Sequence, residues 1–156
     1  MEGDGGDQLS LADGLVRLSR LVQGVFAEVS ARHGLPAAQA RLLCVLAGQP
    51  RGMAELSGIL GVEKAALTGL ADRIERRGLA ERQAVPGDRR SLRVTLTAAG
   101  QRAAIAVHDE VSVEVSRLAG DLSAAEREQL QGTLSRIINA NTAPPVAARG
   151  ANGVPR

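Results

Sequence analysis

The chain has 156 residues, of which 44% are hydrophobic and 23% charged, with a net charge of +2. That is the length of one domain with enough apolar chain for a core. One cysteine excludes an internal disulfide and fits a reducing compartment. No apolar run reaches the ~18 residues of a membrane span, and the acidic, Gly-rich start MEGDGGD does not resemble a secretory leader.

The charge is unevenly spread. Residues 1–50 carry 4 basic and 5 acidic side chains, residues 51–102 carry 10 and 6, and residues 103–156 carry 5 and 6. A basic middle third fits a polyanionic partner.

Residues 1–8 are polar and Gly-rich, and disorder is expected there. Residues 9–33 read as a long helix that Gly34 ends. Leu11, Leu15, Leu18, Val22, Val25 and Val29 alternate steps of four and three, a heptad-like seam that Leu21 and Phe26 widen. About 25 residues make a helix of ~37 Å, longer than one small core needs. Pro36 suits the first turn of a second helix over residues 37–47, with Leu42, Leu43, Val45 and Leu46 inside. Gly48-Gln49-Pro50 closes it. Arg51-Gly52-Met53 is expected to add a short third strand to a later sheet.

The next stretch organises the chain. A short helix has Ala54, Leu56, Ile59 and Leu60 on its apolar side and stops at Gly61. A second follows Val62, with Ala66, Leu67, Leu70 and Ile74 apolar. Its other face carries Lys64, Ala65, Thr68, Gly69, Asp72, Arg73, Arg76 and Arg77. Two helices around a tight Gly-containing turn form a helix-turn-helix, whose second member suits the DNA major groove. Residues 79–85 then read as a strand, Pro86-Gly87-Asp88 as a turn, and residues 91–97 as a second strand with Leu92, Val94 and Leu96 on one face. Arg89 and Arg90 fall near the hairpin tip. A hairpin beside a helix-turn-helix is a winged helix.

After the wing, Thr97 can cap a helix to about Leu118, with Ala104, Val107, Val111, Val115 and Leu118 as its stripe. Ser123 and Glu126 form a capping box for a last helix to about Asn139, with Leu130, Leu134, Ile137 and Ile138 inside. The Pro- and Gly-rich end from residue 141 is expected to be a disordered tail.

The stretch GLAERQAVPGDRRSLRVTLTAAG resembles the wing of the multiple antibiotic resistance regulator (MarR) family. The matching positions are Gly78-Leu79, Asp88-Arg89-Arg90 and Leu96-Thr97-Ala98-Ala99-Gly100. Residues 67–75 resemble that family's recognition helix. Residues 35–39 resemble its Leu-Thr-x-x-Gln helix start, with Pro36 in place of Thr. The likeness spans roughly residues 9–140. It implies a two-fold dimer: a helical dimerisation region from 9–34 and 98–140, and a winged helix-turn-helix DNA-binding region at 35–97. The expected fold class is mainly α with a small β-wing.

Double-stranded DNA carrying an inverted-repeat operator is the expected partner of the homodimer. Lys64 can bond guanine O6 or N7, Thr68 a base or phosphate, and Ala65 or Thr68 a thymine methyl, while Ala65 and Gly69 keep the helix slim. Arg73, Arg76 and Arg77 can reach phosphates; Arg76 and Arg77 can instead pair with Asp72, Glu75 or Glu81. By resemblance, Arg73 takes the phosphate role, Arg90 lines the minor groove with Arg89 beside it, and Asp88 fixes the wing by pairing with an arginine. The resemblance also implies a repressor and a small, often phenolic or anionic, effector in a pocket lined by the first helix, the second and the start of the fifth. The chain is expected to act in the cytoplasm, on the nucleoid.

Other functions find less in the sequence. Cys44 sits in an apolar run, Leu42–Leu46, and reads as core; a redox-responsive regulator acting through it is an alternative. His33 and His108 lack metal-ligand spacing, and no cofactor is expected. No phosphate loop or triad spacing suggests an enzyme. A winged helix serving as a protein-interaction module is a further alternative, which an apolar exposed face on the second helix of the pair would favour.

Overall fold

The computed structural model describes residues 9–142. The expected disorder at 1–8 and from 143 onward lies outside the described residues. The chain divides into two compact units, one up to Arg117 and one from Leu118.

In the first unit, α1 spans Leu11–Arg32 and α2 spans Ala37–Leu46. The Ser10 hydroxyl caps α1, accepting from the Asp13 N–H at 3.1 Å and donating to the Asp13 carboxylate at 2.6 Å. The seam of α1 runs from core to solvent. Val29 is buried, Val22 and Val25 are half-buried, and Leu11 is 80% exposed, with Leu15, Leu18 and Leu21 also exposed. Pro36 sits at the N-cap of α2, one position before the first turn assigned to it. Leu42, Leu43 and Leu46 are buried as expected, and Val45 half-buried.

Next, β1 (Arg51–Gly52) leads directly into α3 (Met53–Leu60), so Met53 is helical rather than extended. After α4 (Lys64–Arg76) come β2 (Ala80–Val85) and β3 (Asp88–Leu96), giving an antiparallel sheet ordered β1-β3-β2. Finally α5 spans Ala98–Arg117 and packs on α1 and α2. The core joins Leu42, Leu43, Leu56, Leu67, Ile74 and Val94 to Val107 on α5. On α3 and α4, three expected apolar positions lie outside it: Ala54, Ile59 and Ala66 are exposed, because Leu56, Leu67 and Leu70 already fill the shared interior; Leu92 on β3 and Leu118 past α5 are exposed as well.

Backbone meets backbone where α4, the sheet and α5 converge. Thr97 Oγ1 donates to the Gly78 carbonyl at 2.6 Å and accepts from the Gly100 N–H at 3.1 Å, capping α5. The Thr97 N–H reaches the Leu79 carbonyl at 3.1 Å. A Cβ on Gly100 would stand 1.8 Å from the Leu79 carbonyl oxygen. Only glycine fits there.

A polar tie joins α1 to α5. Arg32 Nη1 lies 2.5 Å from Glu110 Oε1, and His33 Nε2 lies 2.7 Å from Glu110 Oε2. Arg32 also reaches Glu114 at 3.8 Å. The polar face of α5 therefore receives the end of α1. The hydrogen bond from His33, then that from Arg32, holds the Glu110 carboxyl below the ordinary carboxylate range.

The second unit contains α6 (Ala124–Asn141), which extends one residue into the expected tail. Its capping box forms as expected: the Ser123 hydroxyl accepts from the Glu126 N–H, and the Glu126 carboxylate accepts from the Ser123 N–H at 2.8 Å. Leu130, Leu134, Ile137 and Ile138 were expected inside but are exposed on the single chain. An amphipathic helix with no neighbour in its own unit has nothing to bury its stripe against.

Two outcomes are expected. Gly100→Ala should lower unfolding free energy by about 1–3 kcal/mol or more, because the clash is with backbone that cannot rotate away; thermal unfolding that matches wild type would contradict the close approach. Glu110 has a folded pKa below its unfolded value, so its contribution is present above the carboxylate range and lost as pH falls through the folded pKa. Glu110→Gln should therefore be less stable than wild type at neutral pH, with the gap closing on acidification in denaturant titrations. A pH-independent gap would contradict the tie.

Candidate nucleic-acid interface

The turn from α3 to α4 is three residues long. Gly61 takes the left-handed conformation, φ +64°, that stops α3. The Ser57 hydroxyl donates to the Val62 carbonyl at 2.5 Å, fixing the angle between the two helices.

The faces of α4 are sharply divided. Leu67, Leu70, Ala71 and Ile74 are buried, while Lys64, Ala65, Thr68, Arg73, Arg76 and Arg77 are exposed and Gly69 is half-buried. The sequence-predicted outer face is thus the outer face observed. No side chain or backbone lies within 4 Å of a Cβ placed on Gly69. Mid-helix glycine costs roughly 1 kcal/mol against alanine, and nothing inside the described chain requires it. The Thr68 hydroxyl donates to the Lys64 carbonyl at 2.9 Å, and its oxygen lone pairs stay free to accept on an exposed side chain.

The arginines have distinct surroundings. Arg82 on β2, which sequence reasoning did not single out, bonds Asp72 at 2.6 Å and Glu75 at 2.7 Å. It takes the partners expected for Arg76 and Arg77. Two acids three apart on a helix, followed by a basic strand residue, were the available signal. Arg76 Nε instead reaches the Asp72 carbonyl at 3.3 Å. Arg77 donates to Gln39 Oε1 at 3.1 Å and to the Gly34 carbonyl at 2.9 Å. Among the described residues, Lys64, Arg73, Arg89, Arg90 and Arg93 have no side-chain hydrogen bond or ion pair.

The wing is irregular where its charge sits. Ala80 to Ala84 pair in register with Leu96 to Leu92, but Val85 pairs with Asp88. Pro86-Gly87 closes a two-residue turn with Gly87 at φ +85°. Arg89, Arg90 and Ser91 are therefore a bulge in β3, just past the tip, rather than the tip itself. Asp88 shapes that bulge. Its carboxylate accepts from the Arg90 N–H at 3.0 Å and from the Ser91 hydroxyl at 2.6 Å. The expected pairing of Asp88 with an arginine side chain is absent among the described residues; backbone and serine take its place. Those bonds, Ser91 first, hold the Asp88 carboxyl below its ordinary value.

Lys64 on α4 and Arg90 on the wing line one groove of about 900 Å³, with Arg93 beside them. Glu55 on its wall is engaged by Arg51. The structure therefore brings Lys64 and Arg90 together, while Arg77 turns to the joint between α1 and α2. Arg93 was missed in the sequence, although it alternates with Leu92 and Val94 and so falls on the face opposite that apolar row.

A second, smaller cavity of about 310 Å³ lies between α2 and α5, lined by Cys44, Ala47, Ala104, Ile105, His108 and Asp109. Residues of α1 do not line it, and α5 contributes its middle rather than its start. The Cys44 Sγ lies 4.0 Å from the Ala104 carbonyl oxygen, and burial pushes its thiol pKa up. Cys44 is half-buried at the edge of the core rather than inside it. Among the described residues, no group of three or more His, Cys, Asp or Glu could hold a metal, and no helix is long and apolar enough to cross a membrane.

Comparison with known proteins agrees with this geometry. Residues 33–91 match the MarR family model. No curated protein matches the chain. Among solved structures, apo wild-type MarR from E. coli is similar at 25% identity, covering 85% of this chain and 99% of its own, with a TM-score of 0.77. Rv1404 from Mycobacterium tuberculosis is similar at 28% identity, covering 88% and 95%, with a TM-score of 0.73. A cysteine-to-serine mutant of E. coli MarR complexed with operator DNA is similar at 26% identity, covering 82% and 93%, with a TM-score of 0.68. With its winged helix-turn-helix, the chain is similar to the DNA-binding transcriptional regulators of the MarR family in fold and over residues 33–91.

Proposed function

We propose that the chain binds a pseudo-palindromic operator as a homodimer and represses transcription, with α4 in the major groove and the wing at the adjacent minor groove. The observation that carries this reading is the shared groove of Lys64 and Arg90, two unpaired cations on different elements of one face. Lys64, Ala65, Thr68 and Gly69 form the base-reading surface. Lys64 offers donors to guanine, Thr68 accepts from adenine N6 or cytosine N4, and the absent side chain at Gly69 lets the helix sit deep. Arg73 serves a phosphate. Arg89 and Arg90, presented by the bulge that Asp88 braces, meet the negative potential of a narrow minor groove. Arg82 offsets Asp72 and Glu75, so these carboxylates repel phosphate less. An exposed cationic face, rather than an apolar one, favours DNA over a protein surface as partner.

The exposed apolar positions supply the reason to dimerise. Leu11, Leu15, Leu18 and Leu21 on α1 and Leu130, Leu134, Ile137 and Ile138 on α6 are open on the single chain. Covering one such side chain stabilises by about 1.5–3 kcal/mol, and a second copy offers matching stripes. A two-fold pair of α4 helices selects half-sites about 10 bp apart. A small effector fits the cavity between α2 and α5. By favouring one spacing of the paired α4 helices, it would shift the population away from the operator-binding form. No aromatic residue lines that cavity, so shape and polar contacts would select the ligand. The chain acts at chromosomal DNA in the cytoplasm.

These roles are separable on duplex recovered from a random pool by the purified chain. Lys64→Ala should cost about 1–3 kcal/mol of operator binding and relax one base position. Arg90→Ala should weaken binding and reduce the slope of log K against log salt by roughly 0.9, with unfolding unchanged. Unaltered affinity in both variants at physiological salt would refute the proposed interface. Cys44→Ser should leave the peroxide response of DNA binding unchanged, because a thiol with a raised pKa forms little thiolate at neutral pH. Loss of DNA binding on oxidation that disappears in Cys44→Ser would instead support the redox alternative.

A further inference from the structure

We propose that Arg77 is the positioning residue of the DNA-reading helix, locking the end of α4 to the α1–α2 joint rather than contacting phosphate. The inference rests on the DNA-binding reading above and adds a mechanism to it. Arg77 is the C-cap of α4. One guanidinium nitrogen donates to Gln39 Oε1 at 3.1 Å and the other to the Gly34 carbonyl at 2.9 Å. Gln39 is 7% exposed on α2, and Arg77 is its side-chain partner there. Gly34 holds φ +67° at the joint, and the Leu35 N–H closes that joint onto the Ser30 carbonyl at 2.9 Å. On the other side of the joint, His33 bonds Glu110 on α5.

A continuous path of hydrogen bonds and chain thus runs from α5 through His33 and Gly34 to the end of α4. A planar fork that spans two acceptors fixes both distance and angle, which a lysine ammonium on a flexible stem does not. Arg77 therefore sets the tilt of α4 relative to the helices that flank the DNA-binding lobe. The same bond would carry any movement of α1 and α5 to the reading surface.

The test compares Arg77→Ala, Arg77→Lys and Gln39→Leu with wild type, on selected operator and on random duplex, across a salt series and below the unfolding temperature. Gln39 is too buried to touch phosphate. Positioning predicts that each variant loses about tenfold in operator affinity, with binding to random duplex and the salt slope unchanged. Arg77→Ala combined with Gln39→Leu should lose no more than either alone. Rescue by lysine, a slope shallower by roughly 0.9 in Arg77→Ala, or equal loss on all duplexes would overturn the proposal in favour of a phosphate contact. Unchanged operator affinity with a lowered Tm would overturn it in favour of a stabilising role alone.

Should the wild-type chain select no DNA, the DNA-binding reading fails by itself, and amide hydrogen exchange tests the lock directly. Faster exchange in the last turn of α4 and over residues 35–39 in Arg77→Ala is expected. Unchanged exchange there would overturn the lock.

Discussion

The structure depends on one close approach, the packing of Gly100 against the Leu79 carbonyl. Within a short span, α4 ends at Arg76, Gly78 turns the chain at φ +70°, β2 begins at Ala80, β3 ends at Leu96 and α5 starts at Ala98. Thr97 ties these segments through its hydroxyl and its backbone N–H. A side chain at position 100 would force the start of α5 away from this junction. Wing, reading helix and flanking helix would then lose their common origin. Two of these three bonds use the Thr97 hydroxyl and one its backbone N–H, and every partner is a backbone group. They are strong as constraints because several converge on one short segment, not because any one contributes more than about 1 kcal/mol.

From that junction outward, the positive charge of the middle third divides by what each cation touches. Arg82 and Arg51 satisfy carboxylates, and Arg77 spans Gln39 and Gly34. These bonds stiffen the lobe and remove competing anions from its face. Lys64, Arg73, Arg89, Arg90 and Arg93 remain without side-chain partners among the described residues. Formal charge alone makes all of these residues equivalent. Geometry separates cations that hold the lobe together from cations left for a polyanion, and only the second group can release counterions on binding.

Much of this was legible in the sequence. The stop of α3 and the start and buried face of α4 followed from Gly61 and from the spacing of Leu67, Leu70 and Ile74, because one helical face and one left-handed stop leave little freedom. The capping box at Ser123 and the short strand at Arg51 were readable for the same local reasons. The wing tip was less legible. Pro86-Gly87 announced a turn, but the three-residue register shift depends on bonds to Asp88, and an acceptor's partners have no periodicity. The partners of Arg77 and Arg82 were equally hidden: Gln39 is 38 positions from Arg77, and only the folded chain brings them together. The stripe of α6 was readable as apolar, but a stripe does not say which surface covers it.

Sequencing of duplex DNA selected from a random pool by the purified chain, at near-physiological salt, bears most directly on the central claim. Two copies of one α4 surface related by a two-fold axis should enrich an inverted repeat with half-site centres about 10 bp apart. Enrichment of a single asymmetric site, or none, would contradict a dimer that reads DNA with paired α4 helices.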